Sequence, residues 1–389
     1  MTPQPHIAIF LPTLHFGGVE RVMTNLASGF AAKGFTVDLV AADARGQLRQ
    51  HVPATVRVVD LASTRVLMSL KGLVRYLRNE RPQALIAAMS HSSVIALCAR
   101  KLAGVPTRII ATEHTSISKI LRNSKRLRER LLPACVRLCG KGFDEIVAVS
   151  EGVAEDFANW GHLPRGKVKV IYNPVLRNDA VASFSEPVNH TWLEPDAPPV
   201  ILGVGRLAQQ KGFDVLMRAF ALVREQQVAK LMILGEGQER SKLEDLAREL
   251  GVEQDVWLPG YIENPHPYMA RSTVFVLSSN YEGFGVVLVE ALAAGLPIVS
   301  TDCESGPREV LRNGQYGKLV PVGDVAAMAA AIRAKFAEAR PPVPHTWLRN
   351  FEVSTVVEQY AKLVGLDSDM DNPKITLADK PLSVKAATT

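Results

Sequence analysis

Long apolar runs are missing from this chain. The nearest, ALIAAMSHSSVIALCA at 84–99, is broken by Ser90, His91, Ser92 and Ser93. It falls short of the roughly 20 apolar residues that span a bilayer as a helix. The first residues, MTPQPHIAIFLPTLHFGG, have no basic leader, and Pro12 interrupts their short apolar stretch. That makes a poor secretory signal, so a cytoplasmic protein is expected. Cysteine is scarce. Cys98, Cys135, Cys139 and Cys303 form no CxxC pair, and no histidine completes a metal set near Cys135 and Cys139. Buried structural thiols in a reducing compartment are expected, with no disulfide and no metal. Aromatics make up 6% of the residues, with no aromatic-interleaved basic platform of the RNA-binding kind and no recognition-helix motif.

Acidic residues are scarce in the first half alone. Residues 1–172 hold 24 Lys+Arg against 12 Asp+Glu, a charge of +12, whereas the remainder holds 21 against 27, a charge of −6. The two halves therefore face different partners, and the basic one suits an anionic surface or a phosphorylated ligand. At roughly 100–200 residues per domain, 389 residues suggest two domains.

Short β-branched runs alternate with helical patterns. HIAIFLP (6–12), TVDLVAA (36–42), ALIAAM (84–89), RIIAT (108–112) and EIVAVS (145–150) read as buried parallel strands. Between the first two, Val19, Val22, Met23, Leu26, Ala27 and Phe30 share one helical face. A second series follows: PVILGVGR (199–206), AKLMILGEG (229–237), VWLPG (256–260), VFVLSS (274–279), PIVSTD (297–302) and GKLVPV (317–322). Two doubly wound α/β domains are expected, 1–172 and 173–345, with a hinge in the polar stretch 173–198. A last helix is expected at 346–366, with Trp347, Phe351, Val356, Val357, Tyr360 and Leu363 on its apolar face, and a disordered tail at 367–389. Ligands of such sheets bind at the carboxyl ends of the strands, so the expected site is a cleft between the domains.

Three loops carry chemistry. In LHFGGVERV (14–22), Gly17 and Gly18 follow the first strand and open a helix, where backbone amides can approach an anion; a glycine pair there also serves as a tight turn. In GVGRLAQQKGF (203–213), Arg206 and Lys211 follow a strand end. They form either a clamp for a leaving diphosphate or a solvated basic loop. In NYEGFGVVLVEALAAG (280–295), two glutamates interrupt an apolar segment. Glu282 falls in the loop, Glu290 about one turn into the helix, and the amides of Phe284, Gly285 and Val286 would face an anion. Carboxylates accept hydrogen bonds from sugar hydroxyls, although one could be a cap and the other salt-bridged.

GRLAQQKG followed by EGFGVVLVE resembles the retaining glycosyltransferases of glycosyltransferase family 4. The motifs GGVER, SEGV (150–153), VIYNPV (170–175), LGEG (234–237) and SGPREVL (305–311) extend the resemblance over about residues 6–365. It implies the GT-B fold: two Rossmann-like domains facing each other across a cleft, with a C-terminal helix crossing back to the first. It implies that Arg206 and Lys211 hold the donor diphosphate, that Glu282 contacts the transferred sugar and that Glu290 binds the ribose. Gly17, Gly18, Gly283, Phe284, Gly285 and Val286 would line the donor, and His114 of ATEHTS would lie near the donor sugar; a histidine at a strand end is also a common structural residue. The co-substrate implied is a nucleotide-sugar, with UDP the expected base. Neither a metal nor another cofactor is expected, because Arg206 and Lys211 can neutralise the leaving group.

The acceptor is read from the basic half. KILRNSKRLRERLLPACVRLCGK (119–141) carries eight cations, Lys119, Arg122, Lys125, Arg126, Arg128 and Arg130 among them, against the single acid Glu129. Such a stretch reads as a membrane-surface helix. The implied acceptor is a polyprenyl-diphosphate-linked saccharide at the cytoplasmic membrane face. ENPHPYMA and ESGPREVL resemble the branch of the family that handles N-acetylhexosamines. Rival readings are a nucleotide-sugar epimerase or hydrolase of the same fold, a sugar-nucleotide sensor without catalysis, and a nucleic-acid or membrane binding protein.

Overall fold

The computed structural model describes residues 4–123, 130, 132–177, 179–340 and 342–365. They form two compact units: one runs to Arg177 and resumes at Asn350, the other spans Asn178–Arg349. Each is built on one all-parallel sheet.

In the first unit the strands are β1 His6–Thr13, β2 Thr36–Asp43, β3 Val56–Asp60, β4 Ala84–Ala88, β5 Arg108–Glu113, β6 Glu145–Ala148 and β7 Val168–Val170. Their order is β3-β2-β1-β4-β5-β6-β7. All five residues of β4 are buried, as both faces of a parallel sheet must be once helices cover them. Strand β3 was not expected from the sequence. It is an edge strand paired only with β2, and its polar Arg57 and Asp60 are exposed, so it lacks the apolar run of an inner strand.

Crossovers between parallel strands are right-handed, so the direction of travel decides the face on which each helix lies. The chain steps from β1 to β2 to β3, then jumps to β4 and proceeds the other way. Helix Gly18–Ala32 therefore lies on one face. Helices Leu70–Glu80, Ser90–Ala103, Leu132–Cys139 and Glu151–Gly161 lie on the other, each packed on the next. The first face is completed by the final helix, Val353–Leu363, whose Val356, Val357, Tyr360 and Leu363 join the core around Ile7, Leu26 and Phe30. Gly29 permits that approach: a Cβ there would lie 2.5 Å from Val353 Cγ1.

One buried acid in this unit is accounted for. Asp38, in the middle of β2, accepts hydrogen bonds from His6 Nε2 (2.9 Å), Arg57 Nε (2.8 Å) and the Tyr76 hydroxyl (2.6 Å). Burial alone would raise its pKa, but the donors win and hold the carboxyl well below the usual range.

The second sheet comprises β8 Val200–Val204, β9 Lys230–Leu234, β10 Val256–Gly260, β11 Val274–Leu277, β12 Ile298–Thr301 and β13 Lys318–Val320, in the order β10-β9-β8-β11-β12-β13. Its core gathers Leu216, Met217 and Phe220 with Ile233, Val276 and Ile332.

The expected helix at 346–366 divides into three pieces. His345–Leu348 is a short helix, Arg349–Phe351 a 3-10 turn, and Val353–Leu363 the helix proper. Trp347 does not share the face of Val356: its indole N–H donates to Val310 O at 3.1 Å and its ring lies under Arg312, both within the second unit. The expected tail at 367–389 lies outside the described residues. Of the four cysteines, all free thiols, only Cys303 is buried; Cys98, Cys135 and Cys139 are partly exposed on the helices of the first unit, where solvent reaches the layer. No described helix is long and apolar enough to cross a membrane.

Candidate active site

An open parallel sheet offers a ligand site where its strand order reverses. In the second unit that point lies between β8 and β11. The loop after β8 carries Arg206 and Lys211, and the loop after β11 carries Glu282. Topology thus places two motifs, about 70 residues apart in sequence, side by side.

The two loops are laced together by hydrogen bonds to their backbone carbonyls. Asn280 N donates to Gln210 O at 2.8 Å, Asn280 Nδ2 to Gln209 O at 2.7 Å, and Gln210 Nε2 to Tyr281 O at 3.1 Å. Ser278 Oγ donates to Lys211 O at 2.8 Å. Gly212 is needed at this seam: its φ is +58°, and a Cβ would sit 2.3 Å from Ser278 O. The result is a buried ion pair. Lys211 Nζ donates to Glu282 Oε1 at 2.6 Å, and Ser279 Oγ donates to the same oxygen at 2.7 Å. Arg206 stays exposed on the same loop, and its charge is felt at Tyr281, the neighbour of Glu282. The cost of burying a carboxylate is therefore met by a cation and a hydroxyl.

The second glutamate has a different partner. Glu290, the fifth residue of helix Val286–Ala293, is buried, with Oε1 3.4 Å from His266 Nε2. On its other side His266 Nδ1 lies 2.5 Å from Ser183 Oγ, and the ring stacks against Phe184 at 4.6 Å. His266 therefore orients Glu290. The sequence contained no signal for this pair, because 24 residues and a strand separate them. Ser279, only three residues before Glu282, was not singled out in the sequence.

Gly283, Phe284 and Gly285 are buried, Val286 partly so, and Gly285 caps the helix at φ +90°. The turn at Ser305–Gly306 closes over this loop, since a Cβ on Gly306 would lie 2.3 Å from Phe284 O. That contact explains the glycine of SGPREVL. In LGEG, a Cβ on Gly235 would meet Gly205 O at 1.9 Å and one on Gly237 would meet Leu207 O at 2.2 Å, so these glycines seat the loop of Arg206.

The remaining expected residues lie in the first unit. Gly17 precedes helix Gly18–Ala32, and the space about Gly18 is open: among the described residues outside its own turn, no atom lies within 4 Å of a Cβ there. His114 follows β5 and is buried; its Nε2 lies 3.0 Å from Thr112 Oγ1, while Nδ1 has no hydrogen-bond partner among the described residues. Burial pushes its pKa down to about 4, so the ring is neutral at pH 7. The adjacent Glu113, unremarked in the sequence, is also buried and accepts from Ser90 Oγ at 2.5 Å. Burial pushes its pKa up to about 8, outweighing that hydrogen bond.

Glu113 carries a pH dependence. The folded chain keeps this carboxyl protonated to about pH 8, whereas an unfolded glutamate ionises near 4.3. Between these values the folded state holds more protons, so this group lowers stability as pH rises. Glu113→Gln is therefore expected to match the wild type near pH 4 and to exceed it by about 4–5 kcal/mol at pH 8. Melting curves across that range test it; parallel curves would show that Glu113 titrates normally.

Of the expected membrane residues, Lys119 is half-buried and Arg122 and Arg130 are exposed; Lys125, Arg126 and Arg128 lie outside the described residues.

Comparison with known proteins extends these observations. Residues 16–176 match the domain model described as Glycosyltransferase Family 4, and residues 188–342 match Glycosyl transferases group 1. The chain is 30% identical over 334 residues to the lipopolysaccharide core biosynthesis glycosyltransferase LpsE of Rhizobium meliloti, covering 82% of this chain and 86% of that protein. It is also 30% identical over 342 residues, 84% of this chain and 89% of the relative, to the N-acetylgalactosamine-N,N'-diacetylbacillosaminyl-diphospho-undecaprenol 4-alpha-N-acetylgalactosaminyltransferase of Campylobacter jejuni. Among solved structures, Anabaena Alr3699/HepE in complex with UDP superposes with a TM-score of 0.76 at 19% identity, covering 93% of this chain and 100% of that one.

Proposed function

The chain belongs to the family 4, group 1 glycosyltransferases, and from that premise we propose that it moves a sugar from UDP to a hydroxyl of a lipid-linked saccharide, with retention of anomeric configuration. The Lys211–Glu282 pair at the switch point of the second sheet carries this reading. Lys211 and Arg206 neutralise the diphosphate as the glycosidic bond breaks, the kind of electrostatic stabilisation that dominates such transfers. The diphosphate leaves from the face that the acceptor enters, and its oxygen takes the proton of the incoming hydroxyl. Glu282 binds the transferred hexose or N-acetylhexosamine, and Glu290, oriented by His266, binds the ribose hydroxyls. No metal is required, since the two cations supply the charge. The open space at Gly18 suits a phosphate approaching the first turn of its helix.

The acceptor is proposed from the relatives and from charge. The Campylobacter relative is named for a diphospho-undecaprenol substrate and the Rhizobium relative for lipopolysaccharide core biosynthesis. A net charge of +12 over residues 1–172 suits an anionic membrane, so the enzyme works peripherally at the cytoplasmic face in glycan assembly.

A thermal-shift series with UDP, GDP, ADP and dTDP, and their common sugars, tests the donor. UDP is expected to raise the melting temperature in proportion to the logarithm of its concentration over Kd, and the other bases not to. A shift with another base alone would overturn the UDP assignment. Turnover of the best sugar nucleotide without any acceptor would indicate an epimerase or hydrolase instead.

A further inference from the structure

In the first unit the 3-10 turn Val66–Ser69 precedes helix Leu70–Glu80. Its Leu67 and Met68 are 71% and 67% exposed, the only adjacent pair of large apolar side chains so exposed among the described residues. Leaving both in water is unfavourable by the usual burial rule, and no described residue of the unit covers them. The turn is not loose, since Ser69 is fully buried and its Oγ donates to Val66 O at 2.7 Å.

The surroundings specify the chemistry of what covers the pair. From Leu61 to Asn79 the chain has four cations, Arg65, Lys71, Arg75 and Arg78, and no acid. Arg65, two residues before the apolar pair, and Lys71 and Arg75, three and seven residues after it, are exposed. Arg78 is engaged elsewhere, donating to Leu102 O at 2.7 Å, which fixes the helix to its neighbour. Helix Leu70–Glu80 runs from the end of β3 back to the start of β4, so the turn at its head lies at the carboxyl end of the sheet. The segment Ile117–Asn123, with Lys119 and Arg122, leaves the same end after β5. Two adjacent exposed apolar side chains, flanked in sequence by exposed cations and no acid, at the ligand end of a parallel sheet, match the boundary between headgroups and acyl chains of an anionic bilayer.

We propose that Leu67 and Met68 insert into an anionic membrane surface, with Arg65, Lys71 and Arg75 on its headgroups, and that this turn docks the first unit where a lipid-linked acceptor is presented. The inference rests on the acceptor reading above and adds to it a docking element other than the basic stretch 119–141.

Flotation with phosphatidylcholine vesicles, with and without phosphatidylglycerol, tests it on the full chain. The wild type should bind only vesicles containing phosphatidylglycerol, and L67D/M68D should lower that partition at least about tenfold. Binding of UDP by thermal shift should be unchanged in the variant, which separates failure of the docking turn from failure of the glycosyltransferase reading. L102D, at the far end of the neighbouring helix, should bind like the wild type. Full binding by L67D/M68D, together with loss of binding in R126E/R128E/R130E, would overturn the proposal and assign docking to 119–141. Absence of wild-type binding to either vesicle would also overturn it, as would a loss in L102D equal to that in L67D/M68D.

Discussion

Lys211→Ala is expected to lower kcat/KM for glycosyl transfer by about a thousandfold, the usual cost of removing one group that stabilises charge developing in a transition state. The ammonium is aimed by structure. Its backbone is tied to Ser278, and its Nζ rests 2.6 Å from Glu282 Oε1. The same geometry complicates the experiment, because stripping one partner from a buried ion pair costs about 3–5 kcal/mol and leaves a stranded carboxylate. The K211A/E282Q double variant resolves this. Neutral glutamine keeps the hydrogen bond from Ser279 Oγ, so stability should return towards that of the wild type while activity stays lost. Steady-state kinetics and denaturant melts on the wild type and the two variants decide the matter. Recovery of transfer in the double variant would show that the pair is architectural and that the chemistry lies elsewhere.

Gly235→Ala is expected to be the most damaging single methyl group in the second unit. The residue sits at φ +154°, and its new Cβ would lie 1.9 Å from the carbonyl oxygen of Gly205, a backbone atom that cannot rotate away. Strain and overpacking together should cost about 3 kcal/mol or more. The displaced strand end carries Arg206, so UDP binding should weaken along with folding. Gly251→Ala provides the comparison: φ there is +66°, but nothing lies within 4 Å of the added carbon, so about 1 kcal/mol is expected. Equal losses in the two variants would mean that backbone conformation, not crowding, sets the cost at Gly235.

The architecture was legible because parallel strands buried on both faces must be continuous apolar runs. HIAIFLP, ALIAAM and VFVLSS could hardly be anything else. Strand β3 was not legible, since an edge strand with Arg57 at its centre satisfies only half of that rule. The final helix was placed too early for a related reason. Trp347 and Val356 fit one helical stripe in sequence, but each is apolar for a different core, one in each unit.

The candidate-site residues divide in the same way. Gly18, Arg206, Lys211, Glu282 and Glu290 could be picked as candidates because their motifs resemble those of family 4 glycosyltransferases, where spacing alone left structural uses open. Their partners could not. His266 behind Glu290 and Ser90 against Glu113 are brought in from other elements by the strand order, whereas Ser279 lies three residues before Glu282 in the same loop. By itself the sequence determined two parallel α/β units and the loops that carry charge, because burial and periodicity are local properties of a chain. The tertiary structure alone decided that Lys211 meets Glu282, that Glu290 meets His266 and that Leu67 and Met68 stay mostly exposed, because pairing across about 20 to 70 residues is set by sheet order and crossover hand rather than by any local pattern.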